Sequence, residues 1–118
     1  ILIFSLFFYS KYLLAMDFLE CIQDVPINNK MIEIKESCFV FDSDTGKIIS
    51  VEAESLSSNI EVLNFYKTIL VQFGWDLKTK KNNQAMVFIR DNEILKININ
   101  NTNTIMFNSF LSFKNNME

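Results

Sequence analysis

The sequence predicts an α+β fold: an antiparallel β-sheet with one amphipathic helix packed on one face, in the order β-β-α-β-β-β-β. Three observations carry this. A helical apolar stripe with end signals lies between Ser58 and Gly74, apolar residues alternate with period two on either side of it, and short polar turns separate the alternating segments. With 118 residues, 49% of them apolar, the chain can build one core but not two. Two glycines, one proline and no repeat leave no sign of a solenoid or a long linker.

Residues 1–15 (ILIFSLFFYSKYLLA) are nearly all apolar or aromatic, and acidic residues begin only at Asp17. The run is shorter than the ~20 residues that span a bilayer and contains Lys11, so it reads as a signal-peptide-like leader with Leu13-Leu14-Ala15 before the cleavage point. Residues 16–118 are then a single small α+β domain, exported to the periplasm. Two alternatives stay open: an uncleaved leader that anchors the chain in a membrane, and a true start at Met16, which would make the protein cytoplasmic. Glu20 ahead of Cys21 argues against acylation there.

In the body, Asp17 to Pro26 suggests one helical turn stopped by the proline, with a polar turn at Asn28-Asn29-Lys30. Ser37 to Glu54 reads as a β-hairpin around Asp42-Ser43-Asp44-Thr45-Gly46. Ser58 with Glu61 forms a capping box, Gly74 is placed to close the helix, and Val62, Tyr66, Ile69 and Phe73 share one stripe. Strands follow from Gly74 to Leu77, Ala85 to Arg90, Glu93 to Ile99 and Thr104 to Phe113, separated by turns at Lys80–Asn83, Asp91-Asn92 and Asn100–Asn103.

Within and around that helix, Val62-Leu63-Asn64-Phe65-Tyr66 and Leu70-Val71-Gln72-Phe73-Gly74-Trp75 resemble a V-x-x-F-Y-x-x-x-L-P-Q-L-G-W block of small, uncharacterised exported proteins of alphaproteobacteria. The likeness extends to Asp17–Pro26, to the Phe41–Ile48 hairpin and to Arg90-Asp91-Asn92-Glu93. Val71, Phe73 and Asn92 depart from the pattern, replacing Pro, Leu and Gly. What the resemblance implies is an envelope location and no established activity.

Composition narrows the chemistry. The net charge is −3 and the basic residues are dispersed, which argues against nucleic acid, since a phosphate-binding face needs clustered Lys and Arg. Lys78, Lys80 and Lys81 read as a solvated turn. The chain has no histidine, which removes the commonest general base and metal ligand together. Asp44-Thr45-Gly46 matches the aspartic-protease tripeptide but lacks the apolar strand expected directly before it. Asp42 to Gly46 resembles half a calcium loop, yet its twelfth position is Ala53 rather than Glu. Zinc would need both thiolates and two carboxylates. No catalytic, metal or cofactor site is therefore expected.

Two groups of residues remain as candidates. Cys21 and Cys38 can pair in an oxidising compartment, or persist as two buried reduced thiols. Phe65 and Tyr66 are neighbours that cannot share one helix face, so one of them is left for a contact surface. Phe107, Phe110 and Phe113 raise the same question in a final strand whose imperfect alternation suggests a partner-pairing edge. The function expected is a non-enzymatic, protein-binding or structural module of the envelope. Membrane contact is expected only through an uncleaved leader, and the oligomeric state is left open. The alternatives are an intracellular adaptor starting at Met16 and a small enzyme using Asp42, Asp44, Glu52 and Glu54.

Overall fold

The structure is a computed structural model that describes residues 16–113; the leader expected over residues 1–15 lies outside the described residues. The elements are β1 (Asp17–Phe18), β2 (Pro26–Ile27), β3 (Met31–Asp42), β4 (Gly46–Ser55), α1 (Asn59–Ile69) with a 3₁₀ turn over Leu70–Phe73, β5 (Asp76–Lys81), β6 (Ala85–Arg90), β7 (Glu93–Ile99) and β8 (Thr104–Ser112). Among the described residues the fold is α+β, with one α-helix on an antiparallel sheet. Strands β1 and β2 form a small ladder of their own, and the other six run in the order β3-β4-β8-β7-β6-β5.

The helix forms where its end signals place it. Ser58 Oγ accepts from the Glu61 N–H at 3.2 Å, and the Glu61 carboxylate accepts from the Ser58 N–H at 3.0 Å, so each side chain satisfies the other residue's otherwise orphaned backbone donor. At the other end Gly74 takes the left-handed conformation (φ 90°) and the Trp75 N–H donates back to the Leu70 carbonyl. Gly74 and Trp75 are thus spent on closing the helix, which is why β5 starts at Asp76 and not at Gly74.

Strand β7 follows the expected alternation. Leu95, Ile97 and Ile99 are buried while Lys96 and Asn98 face solvent, and Asp91 adopts φ 53° in the two-residue turn between β6 and β7, a conformation Asp and Asn tolerate best among side-chain-bearing residues. The chain leaves β4, crosses one sheet face as α1 and re-enters at the far edge as β5. It then walks back strand by strand until β8 pairs with β4. The core lies under this crossing: Val62, Leu63, Tyr66 and Leu70 meet Val51, Phe88, Leu95, Ile97, Ile105 and Phe107, all essentially inaccessible.

Three expectations are corrected. The helical turn over Asp17–Pro26 does not form; the segment folds back as the β1–β2 ladder, because burying Leu19, Ile22 and Val25 against the core outweighs local helix preference. Strand β3 starts at Met31 rather than Ser37. Its pattern is broken by a bulge in which Lys35 to Cys38 stand opposite Val51 alone. Ser37 fills the bulge: its hydroxyl donates to the Ile34 carbonyl at 2.6 Å and accepts from the Glu52 N–H at 2.8 Å. Finally, the Phe-rich last strand is not an edge. Strand β8 is interior, flanked by β4 and β7, and the two edges are β3 and β5.

Candidate functional site

Cys21 and Cys38 are joined by a disulfide, with Cα atoms 5.7 Å apart. The bond ties the N-terminal segment to the bulge of β3. The Glu33 carboxylate supports the same junction, accepting from the backbone N–H groups of Glu20 at 2.7 Å and Cys21 at 3.0 Å. Both cysteines are spent in this bond, so neither offers a thiolate to a substrate or a metal.

A second cluster centres on Arg90, at the end of β6 on the helix side of the sheet. Its guanidinium donates to Glu93 from Nε at 2.9 Å and from Nη2 at 2.8 Å, to the Phe73 carbonyl at 3.0 Å, and to Asp24. It also lies over the Trp75 ring, 4.2 Å from the centroid. Burial alone would lower its pKa, but the hydrogen bonds to Asp24 and Glu93 outweigh that and raise it further. A cleft of about 350 Å³ opens beside this cluster, with Asp24, Lys47, Glu93 and Ser109 among its walls. Its two carboxylates face the same guanidinium, so the cluster is a clamp: it fastens the N-terminal segment, the helix end and the β6–β7 turn at one point.

The sheet face away from the helix is apolar in one row. Phe41, Ile48, Phe110, Ile94 and Ile89 stand in register across five strands. Ile48 and Ile94 are each 37% exposed and Phe41 is 53% exposed, as an uncovered sheet face requires. A pocket of about 360 Å³ lies over this row, walled by the β3–β4 turn, the β6–β7 turn and the end of β8. Lys96 extends over the Phe110 ring, 5.3 Å from its centroid.

The two sheet edges differ in kind. Strand β5 is short, and all three of its lysines (Lys78, Lys80 and Lys81) are exposed, a common guard against edge pairing. Strand β3 is twelve residues long, and its last turn-proximal stretch exposes Phe39, Val40 and Phe41 at 59%, 49% and 53%. It carries no proline, and its bulge lies before this stretch, not within it.

Of the aromatic residues expected at a contact surface, Tyr66 and Phe107 are in the core, fully buried with rings 5.6 Å apart. Tyr66 was the inward member of its pair; its hydroxyl donates to the Pro26 carbonyl at 2.8 Å and so also anchors the N-terminal segment. Phe65 is partly buried beside it. Phe110 lies on the uncovered face and Phe113, half exposed, follows β8. The exposure of Phe39–Phe41 was not expected, because a run of three apolar residues reads as an ordinary buried strand until strand order is known.

The four carboxylates considered for acid/base work are not brought together. Asp42 shares the helix-side row with Lys47, 4.0 Å away, whereas Glu52 and Glu54 alternate onto the opposite face and Asp44 is exposed in the turn. That turn is internally satisfied: Ser43 N–H donates to the Gly46 carbonyl at 2.9 Å, and Thr45 N–H donates to Ser43 Oγ at 3.3 Å. Any side chain at Gly46 would collide with the Leu111 carbonyl, so this glycine serves close strand packing. Among the described residues no three Cys, Asp or Glu groups stand together as a metal site, and no helix is long and apolar enough to cross a membrane. No protein family, curated protein or solved structure matches this chain.

Proposed function

We propose that this protein is a non-enzymatic, exported module that binds another polypeptide along the β3 edge and the adjoining apolar row. The observation that carries the reading is the contrast between the edges, one guarded by three lysines and the other exposing Phe39-Val40-Phe41. An uncovered strand with outward apolar side chains accepts a further strand by main-chain hydrogen bonding, with side-chain pockets supplying selectivity. The disulfide fits an oxidising compartment. Resemblance of the helix block to exported alphaproteobacterial proteins favours the envelope as that compartment.

Site-specific photo-crosslinking in the native cell tests this. A photoreactive phenylalanine analogue at position 41 is expected to give one discrete adduct, which Val40→Lys abolishes. The same analogue at Val71, an exposed position just after the helix, or at Lys80, on the guarded edge, should give none. Equal labelling at all three positions, or none at position 41, would sink the proposal.

A further inference from the structure

We infer that the strand received by the β3 edge is the β3 edge of a second copy, forming a two-fold symmetric dimer with Val40 on the axis. This inference rests on the reading of β3 as a docking edge and specifies the occupant.

Hydrogen-bonding parity comes first. Ser43 N–H donates to the Gly46 carbonyl, so by the alternation of an antiparallel ladder Phe41 and Phe39 turn their backbone groups toward β4, while Val40 and Asp42 turn theirs outward, where none of the described strands lies. A second β3 running antiparallel can therefore pair with Val40 opposite Val40 of the other copy, each donating to the other.

The side chains suit that register. Phe39-Val40-Phe41 is palindromic, so a two-fold axis at Val40 places Phe39 opposite Phe41 of the second copy, and the reverse, at non-hydrogen-bonded positions where side chains approach most closely. These aromatic pairs lie on the face away from the helix, alongside the exposed Ile48. On the helix side the two half-exposed Val40 side chains meet. Next outward Asp42 approaches Cys38, where the bulge of the other copy begins and regular pairing ends, so no like charges meet within the paired stretch.

The opposite edge decides against a head-to-tail arrangement. Pairing β3 with β5 of a second copy would leave free edges that propagate into a filament, and the lysines on β5 oppose it. Self-pairing through β3 uses both unguarded edges at once, giving a twelve-stranded sheet whose two remaining edges are the guarded β5 strands.

The test uses the full, oxidised protein purified from its cell, with sedimentation velocity across a concentration series. The wild type is expected to show a monomer–dimer equilibrium. Val40→Lys and Val40→Glu, each facing its own charge across the axis, should each weaken dimerisation by about tenfold or more, and an equimolar mixture should restore it as a Lys–Glu heterodimer. Rescue by mixing excludes misfolding as the cause of the loss. A wild type that stays monomeric while position 41 still crosslinks to a polypeptide of different mass would overturn the second copy and leave the docking edge standing. A dimer untouched by both substitutions, or one that mixing fails to restore, would overturn the Val40 axis.

Discussion

Removing the Cys21–Cys38 bond tests how the N-terminal segment is held. The cysteines are 17 residues apart, and in the chain-entropy description a bond closing a loop of that size stabilises by about 3 kcal/mol, through restriction of the unfolded chain. On the native side little should change, because Leu19, Ile22 and Val25 remain buried and Glu33, Tyr66 and Arg90 each hold the same segment independently. The double variant Cys21→Ala/Cys38→Ala is therefore expected to lose about 3 kcal/mol, equivalent to a Tm lower by roughly 15 °C for a domain of this size. Urea and thermal unfolding against the oxidised wild type measure the loss. Native-state hydrogen exchange at Leu19 and Val25, whose N–H groups bond to Val25 and Ile22 carbonyls, separates the two possible origins. A loss below about 1 kcal/mol, or exchange at these amides that outpaces global unfolding, would refute the argument that the bond acts on the unfolded chain.

Four further perturbations follow from the contacts described. Tyr66→Phe leaves the buried Pro26 carbonyl without its donor and should cost about 1–2 kcal/mol at pH 7 in chemical denaturation. Burial pushes the Tyr66 phenol far above its ordinary value of 10.0, so only the unfolded wild type can ionise it; wild-type stability should fall as pH rises past 10 and the gap to the Phe variant should narrow. Arg90→Lys keeps the charge but loses the fork that reaches Phe73, Asp24 and Glu93 together; about 2 kcal/mol of stability should disappear, with a shift in emission from Trp75, the only tryptophan. Ser58→Ala should cost about 1 kcal/mol by uncapping the helix. Hydrogen bonds from the Ser58 backbone and then its side chain hold the Glu61 pKa below its ordinary 4.5, so its contribution is present above that value and fades as pH falls through the lowered one; Glu61→Gln should flatten that part of the acid limb in pH-dependent unfolding.

The legible parts of the sequence were those whose instructions are local. The capping box at Ser58, the left-handed closure at Gly74 and the alternation of β7 each need only neighbouring residues, and each is realised. The N-terminal segment misled because Leu19, Ile22 and Val25 receive their burial from residues distant in the chain, so nothing nearby distinguishes a helical turn from a fold-back. The start of β3 was hidden by its bulge, whose repair by Ser37 involves Glu52 on the neighbouring strand. Helical spacing put Tyr66 on the apolar stripe, and it is the inward member of its pair; what spacing could not show is the acceptor of its hydroxyl, Pro26, forty residues away. The Arg90 clamp gathers Asp24, Phe73 with Trp75, and Glu93 from three separate stretches of chain, and only Glu93 lies close enough in sequence to suggest a partnership.

Strand order has a consequence for how the chain is made. The β3–β4 hairpin emerges early, yet among the described residues its only sheet neighbour is β8. Until residues near Ser112 have left the ribosome or the translocation pore, the hairpin and the β5–β6–β7 meander have no shared hydrogen-bonded border. A chain cut short before Thr104 would thus hold two unjoined pieces with raw edges on both. Loss of β8 should therefore be felt across the whole sheet, not only at the strand removed.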